Sequence, residues 1–402
     1  MEGFETELSK ATDPVEGHLL GAVAMVTDNK GNFLYKKSAG RQRLFEDSPP
    51  LDDDCTISLY SAGRFFTKVA ALQLVERGLI GLDDPIKKHI SELEQCRVLE
   101  KKDDGTIIDH LPSRDITLRD ILLNTSGICG NYAYKELLGV EQDATGIPSL
   151  AFSPDTHVLA RNNITHLFYE PGQGYYYGGC IYMVQLLVER LGDERRYVEY
   201  AQKHVFEVLG LTSTTYVPAK TPHVWEKRLQ AVERDGNSLK PRDDLTYGVT
   251  CSVSDLATIF GDLMSEDSKL LKDPALRDLL FTPQLAAGSP AHEMFLKDVT
   301  NYAFVLPLAE GEDCNKTWLQ ALPPAKINWT VAGAIYETDD ALPGSGMPAG
   351  TVTFEGLPNI IWTMNRERGR MMLFGNQLFS SYDVPAHNLA VQFLRDSWKT
   401  FG

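Results

Sequence analysis

The 402-residue chain lacks the signatures of several broad protein classes. Its first dozen residues are charged and polar, without the apolar core of a secretory leader, and no later run reaches the roughly 18 apolar residues of a membrane span. We see no internal repeat, no low-complexity tract and no clustered Cys or His ligands. Neither a phosphate-binding glycine loop nor a G-x-S-x-G turn occurs. We therefore expect a cytoplasmic protein with no metal site and no cofactor.

Cysteine is sparse, and basic residues are outnumbered. The chain has six scattered cysteines without a C-x-x-C pair, so we expect them to be reduced. The net charge is −16, which disfavours nucleic acid and anionic membranes as partners. Because 43% of the residues are hydrophobic, the chain can bury a large core. A small molecule is the partner that these properties leave open.

Strand-like and helical patterns alternate along the chain in a definite order. Short apolar runs separated by turn residues predict strands near both ends, and a helical middle lies between them. The predicted strands are Leu20–Val26, Phe33–Tyr35, Trp329–Tyr336, Gly350–Phe354, Asn359–Met364 and Arg370–Phe374, and the predicted helices include Ser61–Gly78, Ile181–Arg190, Arg196–Leu209 and Pro385–Thr400.

This order predicts a mixed α/β (α+β) fold with an antiparallel sheet built from both chain ends, flanked by helices and carrying a mainly helical insertion. We expect a single domain over residues 1–402. Its sheet subdomain would hold residues 1–60 and 295–402, and its helical subdomain would hold residues 61–294.

The predicted helix at Ser61 carries the most specific motif. The text Ser61-Ala62-Gly63-Arg64 is followed by an apolar helical pattern and by Leu82-Asp83-Asp84-Pro85. It resembles the S-x-x-K helix of the serine β-lactamase and penicillin-binding-protein superfamily, with Arg64 in the lysine place. Ser61 is a plausible helix N-cap. Arginine does not give up its proton in proteins and cannot act as a general base, although it can orient groups and bind an anion. Lys68 lies about 10 Å further along the helix axis, so we do not expect it to replace the missing amine.

Three further segments extend the resemblance over nearly the whole chain. Ile116–Ile128 is similar to the family's T-L-R-x-L-L-x-H-T-S-G-L segment, with Asn124 in the histidine place, and the loop of residues 128–148 would then rim the substrate pocket. Pro171–Gly179 is similar to P-G-x-x-x-x-Y-S-N, which places the motif tyrosine at Tyr177. Gly350–Asn359 is similar to the W-x-G-L-P-N strand of fungal lovastatin-type acyltransferases and related esterases.

The resemblance implies where a site would form. Ser61, Arg64 and Tyr177 would be the catalytic residues, with Tyr177 able to shuttle a proton. The oxyanion and pocket positions would be Phe354, Glu355, Gly356, Asn124 and Gly179. A backbone N–H of the strand and that of Ser61 would form the oxyanion hole. Glu355 is either a solvated carboxylate at a strand end or an acid or base in the pocket.

Three functions remain open at this level. The first is a serine acyltransferase or esterase that forms an acyl-Ser61 intermediate on a small-molecule ester or thioester, with an acyl carrier protein or coenzyme A thioester as a donor. The second is a diverged cyclase, isomerase or lyase that uses Arg64, Tyr177 and Glu355 on the same scaffold. The third is a non-catalytic binding protein. An ion pair between Arg64 and Glu355 would point away from acyl chemistry.

Overall fold

The computed structural model describes residues 1–129, 166–178, 181–242, 248–298, 302–308, 326–379 and 381–402. Its strands are β1 (Gly21–Asp28), β2 (Phe33–Gly40), β3 (Thr56–Ser58), β4 (Arg97–Lys101), β5 (Ile107–His110), β6 (His166–Leu167), β7 (Thr214–Thr215), β8 (Val232–Asp235), β9 (Ser238–Pro241), β10 (Thr250–Ser252), β11 (Ile327–Trp329), β12 (Ala334–Tyr336), β13 (Val352–Gly356), β14 (Ile360–Asn365), β15 (Arg370–Asn376) and β16 (Leu378–Phe379). Its helices are α1 (Glu2–Ala11), α2 (Arg64–Glu76), α3 (Leu118–Leu122), α4 (Ile181–Leu191), α5 (Tyr197–Ala201), α6 (Glu207–Leu209), α7 (Pro222–Glu226), α8 (Val253–Met264), α9 (Pro274–Asp278), α10 (Pro290–Lys297) and α11 (Val384–Phe401).

The main sheet joins the two ends of the chain, as the sequence predicts. Its strand order is β11-β12-β13-β14-β15-β1-β2, and neighbouring strands run antiparallel. The junction between the ends is β1 against β15, in a register that pairs Ala22 with Asn376 and Asp28 with Arg370. Seven of the eight residues of β1 are buried because helices cover both faces of the sheet. The predicted fold class is therefore confirmed.

Helix α1 was not among the predicted elements, and it closes one face of the sheet. Its apolar residues recur four positions apart, at Phe4 and Leu8, and both are fully buried. The Phe4 ring centroid lies 5.0 Å from that of Phe393 in α11 and 6.3 Å from that of Phe374 in β15. These two contacts anchor the N-terminus to the sheet. The helix was missed from the sequence because most residues of the segment are polar.

The single strand predicted for Trp329–Tyr336 is wrong, because the chain turns back inside it. Strands β11 and β12 pair with each other, with Ile327 opposite Tyr336. The Thr330 hydroxyl accepts hydrogen bonds from the amides of Ala332 and Gly333 at 3.0 and 3.1 Å, which closes the turn. The Thr330 hydroxyl thus stabilises a turn that the apolar sequence pattern does not indicate.

The helical middle packs α2 against α4 and α5. The helix predicted over Arg196–Leu209 is present as α5 and α6, joined by a π-helical turn over Gln202–Phe206, and it ends at Gly210 with φ of 68°. No helix in the described part of the chain is long and apolar enough to cross a membrane. The division into a sheet and a helical subdomain stays a prediction.

Candidate active site

Ser61 lies in a tight turn that is fixed on both sides. The 3₁₀ turn Tyr60–Gly63 precedes α2, whose N-cap is Gly63, so Ser61 is not the helix N-cap that the sequence favours. Tyr60 has φ of 51°, an uncommon conformation for a residue with a side chain. The Leu59 amide donates to the Val249 carbonyl at 2.9 Å. This turn therefore holds a half-buried serine directly ahead of α2.

Strand β13 approaches this turn at backbone contact distance. A Cβ atom placed on Gly356 would lie 2.3 Å from the Leu59 carbonyl oxygen and 3.3 Å from the Ala62 amide nitrogen. Only glycine allows that approach. On the next strand, the Trp362 indole N–H donates to the Ala62 carbonyl at 3.0 Å and fastens the turn to the sheet. The end of β13 and the backbone around Ser61 therefore face one another, as an oxyanion hole requires.

Arg64 and Tyr177 stack beside this turn. The Arg64 guanidinium carbon lies 4.4 Å from the centroid of the Tyr177 ring, a cation–π distance. The same ring packs edge-on to Phe354 of β13, with centroids 5.3 Å apart. Burial raises the pKa of the Tyr177 hydroxyl, while the Arg64 charge and the Ser61 hydroxyl act in the opposite direction. Tyr177 is therefore close to both residues, and its hydroxyl is buried.

Asn124 holds the Tyr177 segment in place through its backbone. It has φ of 61°, a conformation that asparagine tolerates better than most residues. Its carbonyl accepts from the Tyr176 amide at 3.0 Å and from the Tyr169 hydroxyl at 3.1 Å. Its side chain is buried next to the Tyr175 hydroxyl. This position thus supports the Tyr177 segment and also lines the pocket.

A narrow cavity, with room for about one water molecule, lies next to Arg64 and Tyr177. Its lining also includes Asn124, Trp329, Phe354 and, unexpectedly, Lys68. Lys68 is 5% exposed, and its ammonium nitrogen lies 5.4 Å from the centroid of the Trp329 ring. The signal that could have found it is the four-residue spacing from Arg64, which puts both cations on one face of α2. Sequence reasoning considered only its distance from Ser61.

Glu355 pairs with a tyrosine and not with Arg64. Its carboxylate accepts a hydrogen bond from the Tyr382 hydroxyl. Burial raises the pKa of Glu355 to about 8, and the Tyr382 hydrogen bond acts against that rise. Among the described residues, no ion pair joins Arg64 to Glu355. The sign that would have pointed away from acyl chemistry is thus missing from this part of the structure.

The remaining sequence-based expectations fall in different places. Gly179 and most of the loop of residues 128–148 lie outside the described residues. Tyr175 is a packing residue, with its ring 5.4 Å from that of Trp329. The cysteines at positions 55, 96, 129 and 251 form no disulfide. In the described segments, no group of three or more potential ligands is placed to hold a metal.

The structure thus brings Ser61, Arg64 and Tyr177 together with the pocket positions Asn124, Phe354 and Gly356, and Glu355 follows on the same strand. A hydroxyl, a fixed cation, a buried phenol and a strand-edge backbone are the groups that acyl transfer to and from a serine uses. The roles of the individual residues stay predictions.

Comparison with known proteins agrees with this geometry. A family model described as Beta-lactamase matches residues 3–325. An acyltransferase, calJ, of Penicillium decumbens is 28% identical over 384 residues, covering 92% of this chain and 85% of that protein. A lovastatin esterase of Penicillium rubens is 28% identical over 313 residues, covering 72% of this chain and 74% of that protein. The solved structure of unliganded simvastatin synthase (LovD) from Aspergillus terreus superposes with a TM-score of 0.78 at 24% identity, covering 100% of this chain and 98% of that one.

Proposed function

Because this chain belongs to the beta-lactamase family, we propose that it is a serine acyltransferase or esterase that acts on a small-molecule ester or thioester through an acyl-Ser61 intermediate. Relatives whose names describe an acyltransferase and a lovastatin esterase support this class, and they favour a secondary metabolite as its substrate. The single observation that carries the mechanism is the meeting of Ser61 with Tyr177, Arg64 and the Gly356 end of β13.

In the first step, the Ser61 oxygen attacks the substrate carbonyl and gives its proton to the Tyr177 phenolate. The carbonyl oxygen then carries negative charge opposite the backbone N–H groups of Ser61 and β13. When the bond to the leaving alcohol or thiol breaks, the proton on Tyr177 passes to that group. The product of this half-reaction is an ester of Ser61 and a free alcohol or thiol.

In the second step, water or an acceptor alcohol gives its proton to Tyr177 and attacks the acyl carbon. The bond to the Ser61 oxygen breaks, and the serine recovers the proton from Tyr177. Water as the attacking group gives hydrolysis, and an alcohol gives transfer. Arg64 stays protonated and accepts no proton in either step. Its positive charge stabilises the Tyr177 phenolate.

A thioester of coenzyme A or of an acyl carrier protein fits this site as the donor. Thiols ionise far more readily than alcohols, so a thiolate leaves without strong acid catalysis. That suits a site whose proton carrier is a weakly acidic buried phenol. The cysteines at the four described positions form no disulfide, which fits a reducing compartment, and we place the enzyme in the cytoplasm on that ground.

Intact mass spectrometry after incubation with acyl thioesters and para-nitrophenyl esters tests the proposal. We expect the mass to rise by one acyl group in the wild-type protein and to stay constant in Ser61→Ala. Tyr177→Phe should slow the rise. Turnover of a metabolite with no adduct at any time would favour the diverged enzyme, and neither adduct nor turnover would favour a binding protein.

A further inference from the structure

A second tyrosine lies beside the candidate active site, paired with an acidic residue that the two proposed steps do not use. The Tyr382 hydroxyl donates a hydrogen bond to the carboxylate of Glu355, which lies between Phe354 and Gly356 on β13. Both side chains of the pair are half-buried. Tyr382 has φ of 60°, an uncommon conformation for a residue with a side chain, and such residues cluster at functional sites. The fold thus holds this pair in a defined place.

Strand β13 brings Glu355 close to the reacting groups. Its neighbour Phe354 packs against the Tyr177 ring, with centroids 5.3 Å apart, and its other neighbour Gly356 approaches the turn that holds the nucleophile. Adjacent side chains of a strand point to opposite faces, so Glu355 does not share the ring contact of Phe354. It acts on Tyr177 by charge. Burial raises the pKa of the Tyr177 hydroxyl, the Arg64 charge lowers that pKa, and the Glu355 carboxylate raises it.

This inference deepens the proposed function and rests on it. We propose that Glu355 is a positioning residue for the proton transfer from Ser61 to Tyr177. Its carboxylate, held by Tyr382, places a negative charge near the Tyr177 hydroxyl. That charge opposes the positive charge of Arg64, so the charge state of Glu355 sets how readily the phenol ionises. Glu355 itself exchanges no proton with the substrate in either step.

The charge of Glu355 changes within the pH range in which the enzyme can be assayed. Burial raises the pKa of Glu355 to about 8, and the hydrogen bond from Tyr382 acts against that rise. Below about pH 7 the carboxyl is neutral and adds no charge near Tyr177, whereas above about pH 9 it is ionised and makes the phenolate less stable. The rate therefore still rises with pH, but less steeply than it would without Glu355.

Other charged or titratable groups near Tyr177 and Tyr382 must be separated from Glu355. Among the described residues they are Arg64 and Lys68 of α2, Tyr175, Asp298 after α10, and His387 of α11. Two proteins that differ only at Glu355 have all of these groups in common. A ratio of their rates at each pH therefore isolates the contribution of Glu355.

The kinetic test compares the wild-type protein with Glu355→Gln, which keeps the shape of the side chain and removes its ionisable proton. The measurement is kcat/KM for para-nitrophenyl butyrate from about pH 6.5 to about pH 9.5. The ratio of the Glu355→Gln value to the wild-type value should rise about threefold or more across this range, because only the wild-type protein acquires the opposing charge. Glu367→Gln, at an exposed position between β14 and β15, removes a remote carboxylate and should give a constant ratio. A constant ratio for Glu355→Gln would overturn the inference.

Tyr382→Phe tests the hydrogen bond within the pair. The bond favours the ionised form of Glu355, so without it the carboxyl should stay neutral to a higher pH. Adding Glu355→Gln to Tyr382→Phe should therefore raise kcat/KM only at a higher pH than the same change does in the wild-type background. A rise at the same pH in both backgrounds would refute the role given to Tyr382.

A titration that needs no turnover separates this inference from the proposed function. In this experiment 3-fluorotyrosine replaces Tyr177, and its fluorine resonance is followed against pH. The pKa of this phenol should be lower in Glu355→Gln than in the otherwise wild-type protein by about half a pH unit or more. That difference without an acyl adduct on Ser61 would support the effect of Glu355 on Tyr177 and refute the acyl-enzyme mechanism. An adduct without that difference would refute the positioning role alone.

Discussion

Replacing Arg64 with methionine tests whether its charge makes Tyr177 a usable base. The side chain keeps most of its length and loses its charge, so the packing over the Tyr177 ring is retained. The guanidinium carbon lies 4.4 Å from the ring centroid in the wild-type protein. With the phenol oxygen at about 5 Å and an effective dielectric constant between about 20 and 80, the attraction for a phenolate is about 1–3 kcal/mol.

That energy sets the expected loss of rate. Each 1.36 kcal/mol is about a tenfold change, so Arg64→Met should lower kcat/KM for para-nitrophenyl butyrate about 5- to 150-fold. The assay is a series of initial rates from about pH 7 to pH 10. Because the pKa of Tyr177 would rise without the nearby charge, the variant should need a higher pH to reach any given rate.

Arg64→Lys is the matched control. Lysine retains a positive charge and, when desolvated, can also lose its proton, so ester hydrolysis should be preserved or increased. Equal rates for wild-type protein and Arg64→Met across the pH series, with unchanged melting curves, would refute the role given to Arg64. Loss of activity in Arg64→Lys would instead favour a site rebuilt around the planar two-pronged contacts of arginine.

Three other substitutions probe the same site. Tyr177→Phe should lower kcat about 100-fold or more, as loss of a general base does. The control Tyr175→Phe removes a buried packing hydroxyl and should keep most of the wild-type kcat. Similar losses of kcat in both variants would remove Tyr177 from the mechanism. Gly356→Ala should destabilise the protein by about 1–3 kcal/mol and abolish hydrolysis, because the new Cβ would meet the Leu59 carbonyl. The control is Gly3→Ala, whose Cβ would meet nothing within 4 Å. An active and stable Gly356→Ala protein would contradict the close approach of β13. The pKa of Glu355 is raised to about 8 in the folded protein, against an ordinary value of 4.5. Between these two pH values the folded state keeps a proton that the unfolded chain loses. The free energy of unfolding should therefore fall as the pH rises from about 4.5 to 8. That fall, on the order of a few kcal/mol at about 1.4 kcal/mol per pKa unit, should be smaller in Glu355→Gln, and parallel denaturation curves for the two proteins would rule it out.

The sequence predicted the parts of this structure that depend on local pattern or on a long motif match. The presence of β1 and β15 in one sheet followed from apolar runs at both chain ends, and the pocket positions followed from four motif segments. The Trp329–Tyr336 strand failed because its turn is closed by the Thr330 hydroxyl within an apolar run. Local composition carries no sign of that hydrogen bond.

Pairings between distant segments were beyond reach for a different reason. From its sequence position, Glu355 could be either a solvated carboxylate or a functional one. Its partner Tyr382 follows 27 positions later, after three further strands. Lys68 was not expected to contribute to the site because of its distance from Ser61 along the helix axis. Its place in the cavity depends on Trp329, which comes from the far end of the chain. Sequence spacing gives the face of a helix, and tertiary packing decides what that face meets.

With arginine at position 64, two residues are needed for the two roles that a single lysine can fill, namely accepting a proton and stabilising an anion. A lysine in this place can be neutral and accept a proton, or charged and stabilise an anion, whereas arginine always keeps its charge. In the mechanism that we propose, the proton of Ser61 therefore goes to Tyr177. In that mechanism the Arg64 charge faces a phenolate before the transfer. Afterwards the phenol is neutral, and the negative charge lies on the substrate oxygen, opposite the backbone N–H groups of Ser61 and β13. Since burial raises the pKa of Tyr177, the phenolate population grows about tenfold with each pH unit below that value. The rate of acylation should therefore keep rising through neutral pH into the alkaline range.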